Sequence, residues 1–77
     1  MIHVDNVEDF YKFLQCLGEC TKQDRGDHWF FFFPRRAVYI TFLKDGPLVQ
    51  PYFSDKMLAD QVKTGWPVYA GRSGKDE

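Results

Sequence analysis

The chain has 77 residues, of which 44% are hydrophobic, 27% charged and 18% aromatic. Those fractions argue for one globular domain and against a disordered chain, and a formal net charge of −1 argues against the broad positive field that non-specific nucleic-acid binding runs on. No apolar run approaches the ~20 residues of a membrane helix, and the start MIHVDNVEDF lacks the basic and apolar regions of a signal peptide. The expectation is a soluble, cytoplasmic protein with no membrane partner and with Cys16 and Cys20 reduced.

Val7, Phe10, Leu14 and Leu17 recur at helical spacing, with Phe13 and Cys20 on one flank of the stripe and Tyr11 on the other. Asp5 is placed to cap this helix, and Glu8 stands three residues on, at capping-box spacing. Gly18 and the polar TKQDRGD that follows predict a stop by about Cys20. His28 to Phe33 reads as a strand ended by Pro34, because aromatic residues favour extended structure. RRAVYITFLK, residues 35–44, reads as a second strand. Asp45-Gly46 is a two-residue hairpin signal. LVQPYF, residues 48–53, follows as a third strand, at an edge or with a bulge because Pro51 lacks a backbone donor. SDKMLADQVKTG then predicts a short helix over Met57, Leu58, Ala59 and Val62, with Ser54 as N-cap and Gly65 as C-cap. WPVYAG, from Trp66, reads as a short fourth strand.

The expected architecture is α+β: an N-terminal helix packed on a three- to four-strand antiparallel meander, with a short second helix before the last strand. Residues 1–70 form the domain, and 71–77, GRSGKDE, a flexible polar tail. In size and layout this is similar to many small bacterial and phage proteins of unknown role, and the likeness implies a phage- or mobile-element-encoded accessory protein.

DHWFFFFPRR, residues 27–36, is the stretch that bears most on function. Successive strand residues point to opposite faces. If Trp29, Phe31 and Phe33 face the helix, then His28, Phe30 and Phe32 face away, or the reverse. The second strand divides the same way, Val38, Ile40 and Phe42 against Tyr39, Thr41 and Leu43. A sheet with one solvated face alternates apolar with polar, and this one does not. Its second face requires a cover from the short second helix, from a second copy of the chain or from another protein.

Other constellations carry less. Cys16, Cys20 and His28, with His3, are of zinc-ligating type, but the cysteines lack the tight Cys-x-x-Cys knuckle and serve as small apolar residues beside the core stripe. Gly71, Gly74 and Lys75 do not make a phosphate loop, since Asp76 follows the lysine. Asp24 with Asp27, and Asp55 with Asp60, form no recognisable acid–base pair. Nucleophile, base and oxyanion donors are not assembled, so neither an enzyme nor a cofactor nor a bound metal is expected.

The composition therefore predicts a non-enzymatic protein-binding module, an inhibitor, adaptor or modulator of a larger protein. Its surface would comprise Phe30, Phe32, Tyr39 and Thr41, with Arg35 and Arg36 at the rim. Tyr52 and Trp66, in a second aromatic group with Phe53 and Pro67, fit core packing under the second helix first, and if exposed are of the residue types that dominate binding hot spots. The same surface suits a homodimer, and an edge strand around residues 48–53 suits strand pairing. The alternative is a small single-stranded nucleic-acid binder that stacks bases on the same face and grips the backbone with Arg35 and Arg36.

Overall fold

The computed structural model describes residues 2, 4, 6–44 and 51–75. Helix α1 spans Val7–Leu17, and strands β1 (Thr21–Asp24), β2 (His28–Phe33), β3 (Val38–Leu43) and β4 (Tyr52–Phe53) follow. Helix α2, Lys56–Lys75, closes the described chain. The strands form one antiparallel sheet in the order β1-β2-β3-β4. The α+β meander is as the sequence implies, but the position and length of the second helix are not. The second helix is 20 residues long and follows the last strand.

Asn6 caps α1, its Oδ1 accepting from the N–H groups of Glu8 (2.8 Å) and Asp9 (3.4 Å). The sequence placed this role on Asp5, which lies outside the described residues. Glu8, expected to complete a capping box, pairs instead with Lys22 of β1. The polar segment after α1, read as a turn, contains β1 and a tight hairpin. There Gly26 takes φ 92°, a conformation side chains rarely adopt, and its N–H donates to Asp24 Oδ1 at 3.0 Å. The Asp45-Gly46 signal lies outside the described residues. At α2 the cap is Asp55, whose Oδ2 accepts from the Leu58 N–H at 2.9 Å. Ser54, expected to cap, uses its Oγ to accept from the Tyr39 N–H at 2.8 Å, tying the entry of α2 to β3.

WPVYAG is helical. Leu58, Val62 and Trp66 recur at four-residue spacing on one buried stripe, and Tyr69 and Ala70 extend it. Pro67 sits inside the helix with its ring exposed, where it withholds one backbone donor from Lys63. Burial of this stripe outweighs both that loss and the stop signal of Gly65. The helix continues through residues 71–75, which read from sequence as the start of a polar tail.

Phe10 stands at the centre of the core. Its ring centroid lies 5.8 Å from Phe31, 5.8 Å from Phe42 and 5.2 Å from Trp66, so one side chain joins α1, β2, β3 and α2. Each such aromatic pair adds about 0.5–1.5 kcal/mol beyond area burial.

Candidate functional site: the open face of the sheet

Strand register assigns every side chain to a face. Phe31 and Phe33 of β2 and Ile40 and Phe42 of β3 are buried, with Trp29, Val38 and Phe53 packed against them. They share one core with Phe10, Phe13, Leu14, Leu58, Val62 and Trp66 of α1 and α2, and Phe31 and Phe42 meet the Phe10 ring directly. Both helices therefore lie on one side of the sheet. The second helix does not cover the other face, as the sequence allowed that it might.

That other face is built by residues paired across the strands. Thr21 opposes Phe32, and Phe32 opposes Tyr39. One level along, Gln23 opposes Phe30, Phe30 opposes Thr41, and Thr41 opposes Tyr52. His28 opposes Leu43 at the far end. The rings form a continuous row. Phe30 and Phe32 stack at 6.3 Å with planes 11° apart, Phe30 and Tyr39 at 5.3 Å and 29°, and Tyr39 and Tyr52 lie 6.3 Å apart. The side chains shield one another, so Phe30, Phe32, Tyr39 and Thr41 are half-buried. Tyr52 and Leu43 remain 60% and 56% exposed.

Arg25, from the β1–β2 turn, lays its guanidinium 4.3 Å from the centroid of Phe30 and donates to Gln23 Oε1 at 3.1 Å and 3.3 Å. His28 Nδ1 lies 2.7 Å from Asp27 Oδ1, and that contact holds the Asp27 carboxyl below its ordinary value. The sequence did not single out Thr21, Gln23 and Arg25 as site residues. The signal available was the Arg-Gly-Asp-His run, a two-residue turn with glycine in its first central position.

Of the residues expected at the site, Phe30, Phe32, Tyr39, Thr41 and Tyr52 share this face. Arg35 and Arg36 stand in the β2–β3 connection. Arg35 pairs with Glu19 at 3.1 Å. Arg36 turns to the helix side, donating to Gln61 Oε1 at 2.8 Å with its guanidinium 6.0 Å from the Phe33 ring. Trp66 is not part of the surface. It is 4% exposed, wedged among Phe10, Phe13 and Tyr69, because the helix that carries it faces the core. β4 does form an edge, with Pro51 just before it, though over Tyr52–Phe53 alone; residues 48–50 lie outside the described residues.

The reactive side chains are dispersed. Cys16 is exposed, its thiol on the Lys12 carbonyl at 3.4 Å. Cys20 is buried, and burial pushes its thiol up to about 12. Asp24 is held below its ordinary value first by a hydrogen bond from Lys44 and then by the Gly26 N–H. Among the described residues no three His, Cys, Asp or Glu side chains gather in a metal-binding group, and no helix is long and apolar enough to cross a membrane. Compared with protein-family models, curated proteins and solved structures, the chain matches none.

Proposed function

We propose that this protein is a non-enzymatic docking module that binds another protein through the open sheet face. The observation that carries the reading is the placement of both helices on one side, which leaves the Phe32, Phe30, Tyr39 and Tyr52 row with no covering element among the described residues, only the Arg25 guanidinium lying over Phe30. Strands of four, six, six and two residues, about 4.8 Å apart at about 3.3 Å per residue, give a footprint on the order of 300 Å². A patch of that size on a small protein commonly marks an interaction site, and it is less than half of the roughly 800 Å² that each partner contributes to a standard interface. The contact is accordingly reversible unless the partner also reaches the rim at Arg25 and Leu43. Aromatic rings at the centre and arginine at the edge match the composition of interface cores and rims.

The charge pattern disfavours nucleic acid. Arg35 is paired with Glu19, Arg36 is turned to Gln61, and Arg25 already occupies the face of Phe30 where a base would stack. The experiment compares capture from host extract by the parent chain, by Phe32→Ala with Tyr39→Ala, and by Gln61→Ala as a control on the helix side. The expected result is a defined polypeptide that the first variant loses and the control keeps, with modest change between 50 and 200 mM salt. Capture of nucleic acid that collapses by orders of magnitude over that salt range, and that Arg35→Ala with Arg36→Ala abolishes uniformly across sequences, overturns the reading.

A further inference from the structure

The first strand ends the sheet, and its hydrogen-bonding phase is fixed. Arg25 N–H donates to the His28 carbonyl at 3.0 Å. Bonded pairs in an antiparallel ladder alternate, so Arg25 with His28, Gln23 with Phe30, and Thr21 with Phe32 are the bonded ones. The N–H and C=O groups of Lys22 and Asp24 therefore point away from β2. Among the described residues no backbone or side-chain group meets them. Thr21, Gln23 and Asp24 are exposed, and α1 meets this strand on the helix-side face, where Lys22 reaches Glu8 and Tyr11.

We propose that this edge pairs with the same edge of a second copy of the chain, antiparallel, about a two-fold axis at Gln23. The charges single out that register. A two-fold axis must place outward-pointing residues opposite each other, which leaves axes at Lys22, Gln23 or Asp24. An axis at Lys22 sets lysine against lysine, and an axis at Asp24 sets aspartate against aspartate. An axis at Gln23 sets Lys22 against Asp24 of the second copy, twice, in doubly bonded pairs that complete four backbone hydrogen bonds. Within each copy Lys22 already pairs with Glu8 and Asp24 with Lys44. The signs therefore alternate across the junction: Glu8, Lys22, Asp24 of the second copy, Lys44 of the second copy. Charged side chains on an edge strand ordinarily repel further pairing. Here opposite charges two residues apart make the strand its own complement. The contact is small, and the dimer is of the weak, concentration-dependent class. This inference stands apart from the reading of the aromatic face.

A covalent trap tests it. In this register Gln23 faces Gln23 of the second copy at a non-bonded position, where Cα atoms approach to about 4.5 Å, within disulfide range. In a Cys16→Ser background, Gln23→Cys is expected to form a disulfide-linked dimer under mild oxidation at least about tenfold faster than Thr21→Cys, which would face Arg25. Adding Lys22→Asp alone slows the linkage, and adding Asp24→Lys with Glu8→Lys and Lys44→Asp restores it, because the fourfold swap recreates the opposite pairs both across the junction and within each copy. Circular dichroism and melting of each variant separate lost pairing from lost folding. Equal linkage rates at positions 21 and 23, or a swap slower than the single change, overturn the proposal. So does a dimer by light scattering that Phe32→Ala dissolves while Gln23→Cys stays unlinked, which would move self-association to the open face.

Discussion

Replacing Gly65 with alanine sets two effects of known sign against each other. Gly65 lies inside α2, where glycine costs about 1 kcal/mol relative to alanine. Propensity alone makes Gly65→Ala stabilising. A Cβ at that position would stand 3.0 Å from Cζ and 3.2 Å from Cε1 of Phe13. Carbon contacts are most favourable near 3.5–4.0 Å, so the ring must withdraw by roughly 0.5–1 Å. It has little room. Phe13 is 6% exposed, and its centroid lies 5.6 Å from Trp66 and 5.3 Å from Tyr69. Overpacking of this kind costs about 1–3 kcal/mol. The expected net change is a loss of about 0–2 kcal/mol, a fall in Tm of up to roughly 10 °C for a domain of this size. The assay is thermal and urea unfolding of the parent, Gly65→Ala, Phe13→Leu and the pair. Shortening Phe13 removes the ring edge, so the alanine gain returns in the pair, with a coupling of about 1–3 kcal/mol. A Gly65→Ala protein more stable than the parent by the full ~1 kcal/mol would refute the close approach of the two helices.

Three further outcomes are expected. Because the Asp24 carboxyl titrates below its ordinary value in the folded chain, its contribution is present above the unfolded pKa and is lost as pH falls through the folded one. Asp24→Asn should therefore flatten the acid limb of the stability profile below about pH 4, and an unchanged slope would count against the Lys44 contact. Iodoacetamide at pH 8 should label native chains at Cys16 alone and unfolded chains at Cys20 as well, since the buried thiol is pushed up to about 12. Ala37 takes φ 54°, left-handed backbone, so Ala37→Gly should raise stability by about 0.5–1 kcal/mol and Ala37→Val lower it; equal melting of all three would contradict that conformation.

Strand β2 was legible to the residue, because its aromatic run is bounded by a turn and by Pro34. The two-sided apolar pattern was legible too, but not which side stays open. Trp29, Phe31 and Phe33 differ little in hydrophobicity from His28, Phe30 and Phe32, and the choice depends on where two helices dock. The length of α2 is masked in the sequence, because Gly65, Trp66 and Pro67 are each a local stop or strand signal. The four-residue recurrence of Leu58, Val62 and Trp66 carried the contrary message, and burial gave it the greater weight. β1 is not legible in the sequence, because an edge strand of Thr, Lys, Gln and Asp has no hydrophobic period. Its strand character comes from its partner, β2.

The double-sided aromatic character of β2 and β3 has a cost in uniqueness. In most half-solvated sheets a slip of one residue buries polar groups, and the penalty holds the register. Here a slip would trade Phe31 and Phe33 for Phe30 and Phe32, and Ile40 and Phe42 for Tyr39 and Thr41. An inside-out hairpin would bury nearly as much carbon as the native one. The information that rejects it sits in the connections: Gly26 at φ 92°, Ala37 at φ 54°, and Pro34 closing β2. Misfolding of this chain is thus decided at its turns, and a one-residue insertion there would be felt more sharply than many substitutions in the sheet.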